Sequence, residues 1–103
     1  MNAFGLSDAI LNQIIGVISK FSNIDKAVIF GSRAAGNFRP SSDIDIAIVA
    51  PHLDAITFSN LWNQLDDLPI IYKLDVVHFD ALTNENLKQK IETQSKVIYQ
   101  KNE

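Results

Sequence analysis

With 103 residues, 47% of them hydrophobic, the chain has material for one core and one domain, spanning residues 1–103. A formal charge of −3 lacks the basic footprint of proteins that grip polymeric nucleic acid through its phosphates, whereas a nucleotide presented with divalent cations stays compatible with it. The absence of cysteine excludes disulfides and thiolate metal sites and agrees with a reducing, cytoplasmic setting. Three further features argue against a secretory signal or a membrane span: no basic residue before Lys20, no apolar leader, and no apolar run of the ~18 residues a spanning helix needs.

Met1 to Leu6 reads as a loose start. Ser7 is a candidate N-cap, with Asp8 suited to the positive end of a helix. Ile10, Leu11, Ile14, Ile15, Val17, Ile18 and Phe21 recur at helical spacing, which predicts a helix from about Ser7 to Phe21. Lys26 to Phe30 is a short apolar run of β-formers and predicts a buried strand, ended by Gly31. Arg33 to Gly36 has room for one helical turn, and Gly36, Asn37, Pro40, Ser41 and Ser42 form a loop.

Asp43 to Val49 predicts a second strand. Alternation places Asp43, Asp45, Ala47 and Val49 on one face and Ile44, Ile46 and Ile48 on the other. Leu53, Ile56, Phe58, Leu61, Trp62, Leu65 and Leu68 predict a second long helix, about Asp54 to Asp67, ended by Pro69. Its Phe58-Leu61-Trp62-Leu65 stripe reads as core, with a partner-facing surface as the alternative. Ile70 to Phe79 predicts a third strand, Thr83 caps a helix running to about Thr93, and Lys96 to Tyr99 closes the chain with a short strand. There is no repeat and no linker.

The chemistry concentrates between Val28 and Val49. Asp is depleted in strands, yet Asp43 and Asp45 fall at i and i+2 on one face, about 6–7 Å apart along the strand. Two such carboxylates repel unless water or a cation screens them. A solvated strand end would account for that pair alone. Asp75 interrupts another apolar strand, Leu74-Asp75-Val76-Val77. If that strand lies beside the first, three carboxylates converge into a hard-oxygen site suited to Mg²⁺ or Mn²⁺, and such sites serve in-line phosphoryl displacement.

Gly31 allows close backbone approach to a ligand, and Ser32 can cap the following turn while facing a phosphate. Gly31 and Gly36 match the spacing of a P-loop, but Asn37-Phe38 replaces its Lys-Ser/Thr, so that motif is rejected. Asp43-x-Asp45-x-Ala47 lacks the further ligand and the glycine of an EF-hand loop, so calcium sensing is rejected too. Arg33 and Arg39 flank the loop with forked donors suited to triphosphate oxygens, or else are solvated. His52 and His78 show no metal-ligand spacing; His78 alternates away from Asp75 and reads as a core or surface residue.

Gly31-Ser32, ten residues, Asp43-x-Asp45 and a later strand Asp75 together resemble the signature of the polymerase-beta-like nucleotidyltransferases. Gly31-Ser32-Arg33-Ala34-x-Gly36 with Ser42-Asp43-Ile44-Asp45 resembles most closely the minimal nucleotidyltransferases, or MNT proteins. That resemblance covers nearly the whole chain. It implies an α/β (α+β) domain, a mixed sheet with helices packed on one side, and Mg²⁺-dependent nucleotidyl transfer from a nucleoside triphosphate such as ATP. It implies that Asp43 and Asp45 hold the metals, that Asp75 helps hold the catalytic metal and activates the acceptor hydroxyl, and that Gly31 and Ser32 bind the triphosphate; the forked donors of the adjoining Arg33 assign it to the nucleotide as well. It also implies a small helical HEPN partner toward which the chain acts as antitoxin, through AMP transfer to a tyrosine. Many relatives carry a basic residue at the position of Ala35, a departure that bears on phosphate binding and leaves the carboxylates untouched.

Little chain remains for binding an acceptor, which points to a partner that serves as the acceptor or completes the site. A binding module that neutralises its partner by complex formation alone is the principal alternative. Transfer to a small molecule is a weaker one, since antibiotic-modifying relatives use an additional domain.

Overall fold

The computed structural model describes residues 4–101; Met1 to Ala3 and the last two positions lie outside the described residues. In chain order the elements are α1 (Asp8–Ile18), β1 (Lys26–Phe30), α2 (Ser32–Ala35), β2 (Ile44–Val49), α3 (Ala55–Asp66), β3 (Leu74–His78), a 3₁₀ turn (Phe79–Ala81), α4 (Glu85–Thr93) and β4 (Lys96–Gln100). The strands form one mixed sheet in the order β3-β2-β1-β4, with β1 antiparallel to both neighbours and β2 parallel to β3. The parallel pair needs a crossover, and α3 supplies it.

The predicted alternation governs the packing. Ala27, Ile29, Ile44, Ile46, Ile48 and Val76 face α1 and α3 and are buried with Ile14, Ile18, Leu61 and Leu65. The opposite face buries Val28, Phe30 and Ala47, and α4 covers them through Ile91 with Leu87 beside it. The two long helices therefore share one side of the sheet, while the short α4 lies on the carboxylate-bearing side. Burial of this apolar set, at about 25 cal/mol per Å² removed from water, is what holds the sheet flat against its helices.

Helix starts follow side-chain capping. Ser7 Oγ accepts from Ile10 N–H at 3.2 Å and Asp54 accepts from Thr57 N–H at 2.6 Å. Asn84, rather than the expected Thr83, caps α4 by accepting from Leu87 N–H at 3.1 Å. Three other expectations shift. α1 ends at Ile18, because Ser19, Lys20 and Phe21 turn back onto the carbonyls of its last turn. β3 begins at Leu74, because Ile70 closes a tight turn onto Leu68 and leaves Ile71 91% exposed. The "loose" N-terminal segment is tied down from Phe4 onward, with Leu6 fully buried.

The apolar stripe of α3 divides. Leu61 and Leu65 enter the core, whereas Trp62 is 40% and Ile56 77% exposed. His78 lies on the α3 side, as alternation requires. Its ring stacks on Phe58 at 5.2 Å and Nε2–H donates to the Ala50 carbonyl at 2.9 Å. Asp80 accepts from Ala50 N–H at 2.7 Å, so the histidine and the aspartate together satisfy both backbone groups of a buried residue.

Candidate active site

The site grows from the end of β1. Gly31 follows the last strand residue with φ 74° and ψ −152°, a backbone conformation open essentially to glycine alone. Phe30 stands opposite Asp45 in the antiparallel register, so the Asp45 side chain lies over the next residue, Gly31. A Cβ built on Gly31 would collide with the Asp45 carboxylate. The missing side chain is thus the space in which that carboxylate sits.

The parallel register pairs Asp45 with Asp75 directly. Neighbouring strands are about 4.8 Å apart, and paired residues project to the same face. Asp43 precedes β2 by one residue and is exposed, as is Asp75; Asp45 is half-buried. Burial, then the charge of Asp75, then that of Asp43 push the Asp45 carboxyl above its ordinary pKa, and Lys90 on α4 pulls it back. All three acids therefore act on one electrostatic centre. Among the described residues, no group of three or more His, Cys, Asp or Glu side chains is placed to hold a metal ion. The acids match a hard divalent cation in donor type and in their mutual repulsion, which Lys90 only partly offsets, and not in a preformed coordination shell. A cleft of about 440 Å³ opens beside Asp43, walled by Pro40, Ser41, Ile71, Tyr72 and Lys73.

The remaining sequence candidates fare differently. Ser32 is the first residue of α2 and Gly31 occupies the cap position, so the serine does not cap the turn; it sits half-buried beside the Asp45 cradle. Arg33 does not face a phosphate. It is 1% exposed, and its guanidinium donates to the carbonyls of Phe4 at 2.8 Å, Ser42 at 2.9 and 3.3 Å, and Pro40 at 3.3 Å. The rings of Phe38 and Tyr72 lie 5.0 and 4.8 Å from its Cζ. Four of its five N–H groups are committed to backbone carbonyls, so in this structure Arg33 is a buried anchor of the loop and not the open phosphate-facing group expected of a nucleotide-binding residue. Arg39 is exposed, with its backbone engaged by Ser42 in the loop turn. Lys90 was not among the candidates; its proximity to Asp45 depends on how α4 crosses the sheet, and its only sequence signal is the adjoining apolar Ile91.

Residues 12–103 match the family model described as polymerase beta, nucleotidyltransferase. No curated protein matches the chain. Among solved structures, the chain is similar to a toxin–antitoxin crystallised with AMP-PNP, at 28% identity and a TM-score of 0.72, over 88% of this chain and 73% of that one. It is similar to the MntA–HepT toxin–antitoxin at 25% identity and a TM-score of 0.68, over 92% of this chain and 74% of the other. A complex of tri-AMPylated Shewanella oneidensis HEPN toxin with MNT antitoxin shares the fold at 24% identity and a TM-score of 0.68, over 93% and 74% of the two chains. The glycine-cradled Asp45, its register with Asp75 and a family match across almost the whole chain agree: this chain belongs to the polymerase beta nucleotidyltransferase family.

Proposed function

We propose that the chain transfers an AMP group from ATP to a hydroxyl of a small helical HEPN partner, a tyrosine in the first instance, and thereby acts as its antitoxin. The observation that carries this reading is the Asp45–Asp75 register beside Gly31. It sets two acids side by side over a turn with no side chain in the way, and Asp43 adds a third charge to the same centre. The likeness to toxin–antitoxin complexes, one with AMP-PNP and one with an AMPylated HEPN toxin, supports the choice of nucleotide and partner.

In this reading Asp43, Asp45 and Asp75 would hold Mg²⁺, or Mn²⁺ in its place, and the cation, when bound, would supply neutralisation of the charge that develops in the transfer. The backbone of Gly31 and Ser32 approaches the triphosphate closely. Asp75, the exposed member of the pair, accepts the proton of the acceptor hydroxyl. That oxygen forms a bond to the α-phosphorus, the bond from the α-phosphorus to the bridging oxygen breaks, and pyrophosphate leaves. The chain's contribution is placement, since phosphoryl transfer depends chiefly on position and charge.

The test is incubation with labelled ATP and Mg²⁺ in the presence of the co-expressed partner. Label reaching the partner supports the proposal, and silence with both Mg²⁺ and Mn²⁺ defeats it. The double variant Asp43→Asn with Asp45→Asn should lose transfer and neutralisation together. Neutralisation that survives in this variant at equal expression would instead identify a module that silences its partner by binding alone.

A further inference from the structure

Buried, and with four of its five N–H groups committed to backbone carbonyls, Arg33 needs another account. We infer that Arg33 is a positioning residue, a buried latch that sets Asp43, the strand carrying Asp45 and the strand carrying Asp75 against the Gly31–Ser32 corner. The inference rests on the proposed role of those acids only for its consequence in metal binding; the latch itself stands on the hydrogen bonds.

Four segments meet at this one side chain. Its own backbone belongs to α2, one residue beyond Ser32. Nε and one terminal nitrogen donate to the carbonyl of Ser42, the residue directly before Asp43. The same terminal nitrogen reaches the Pro40 carbonyl, and the other reaches Phe4, before α1. The guanidinium carbon lies over the rings of Phe38 of the loop and of Tyr72, three residues before Asp75. The Ile44 N–H donation to the Lys73 carbonyl, at 2.9 Å, then carries the loop's position into the start of the β2–β3 ladder. A charge this deeply buried is tolerated only when its donors are satisfied, so the three carbonyls must stay in place. Lysine cannot substitute, because an ammonium lacks both the planar fork and the flat faces that stack on two rings.

The contacts also explain a loop of ordinary composition. Gly36 to Ser42 contains no strand or helix. Its shape is held by the Ser42–Arg39 turn at one end and by this guanidinium from within. If the latch is released, Asp43 moves first, because its backbone follows directly from Ser42.

Two variants and two readouts test the inference. Arg33→Lys keeps the charge and loses the fork. Tyr72→Leu keeps apolar volume, removes one stacked ring and perturbs folding least. Amide hydrogen exchange on the full chain without metal reads the latch alone. Both variants should exchange at least tenfold faster over residues 37–44 and 72–75, while β1 keeps wild-type protection. Mn²⁺ binding followed by electron paramagnetic resonance reads the consequence, with at least a tenfold weaker affinity expected in folded Arg33→Lys and a smaller loss in Tyr72→Leu. Wild-type exchange in those two segments for both variants would overturn the latch, as would uniform loosening of the whole sheet. Faster local exchange with unchanged Mn²⁺ affinity would overturn the claim that the latch positions the acids. If the wild-type chain takes up no Mn²⁺, the metal reading of the site fails, and the latch is decided by exchange.

Discussion

Substituting alanine at Gly31 tests the most specific geometric feature of the site. Two penalties should add. The φ of 74° with ψ −152° is a region that costs a non-glycine residue about 1–3 kcal/mol. The new Cβ would also overlap the Asp45 carboxylate, and overpacking of this kind costs about 1–3 kcal/mol. Taking the middle of each range, Gly31→Ala should lose about 4 kcal/mol, close to the whole stability of a marginal domain. Gly36 supplies the control. It also has a positive φ, 84°, but open space where a Cβ would go, so Gly36→Ala should lose only about 1–2 kcal/mol. A double-mutant cycle then isolates the overlap. In an Asp45→Ala background the carboxylate is gone, and Gly31→Ala should cost only its backbone strain, about 2 kcal/mol less than in the wild type. Urea denaturation of the four chains of the cycle and of Gly36→Ala, followed by far-ultraviolet circular dichroism, measures each difference. An equal cost of Gly31→Ala in both backgrounds would refute the claim that this glycine exists to seat Asp45.

Further outcomes follow from the same contacts. The Asp45 carboxyl is raised by burial, Asp75 and Asp43, so the folded chain binds more protons than the unfolded one between the ordinary carboxylate value and the raised one. Metal-free stability should therefore fall as pH rises through that window, and Asp45→Asn should out-melt the wild type at pH 7 in chelator but not at pH 3, where the acid is already protonated. Millimolar Mg²⁺ with ATP should stabilise the wild type; at a hundredfold excess over Kd the gain is about 2.7 kcal/mol, or a melting shift of about 10–20 °C, and it should vanish in the Asp43→Asn, Asp45→Asn variant. Asp80→Ala strands the buried Ala50 N–H and should cost about 1–3 kcal/mol by denaturant titration, whereas Asp80→Asn retains an acceptor and should cost less.

The strand alternation of Ile44, Ile46 and Ile48 against Asp45 and Val49 was legible because a period of two leaves no freedom once one face is apolar. Helix existence was legible for the same kind of reason, while the end of α1 and the start of β3 moved by a few residues where local turns at Phe21 and Ile70 competed with periodicity. Trp62 and Ile56 were not legible as exposed, since an apolar side chain on a helix carries no mark of whether something covers it. Lys90 could not be linked to Asp45 without the crossing of α4 over the sheet.

Val28 to Val49, with Asp75, carried the family and the acidic character of the site in residue type and spacing alone, because backbone period and charge are properties of the chain before it folds. The meaning of Gly31 and Arg33 was decided only by tertiary contacts. A glycine's φ is set by the turn it closes, and here by the carboxylate that arrives from another strand. An arginine in a loop looks the same in sequence whether it meets a phosphate, water or three backbone carbonyls. At Arg33 it meets the carbonyls, because the segments before α1 and β2 bring theirs to the buried guanidinium while Tyr72, before β3, brings its ring.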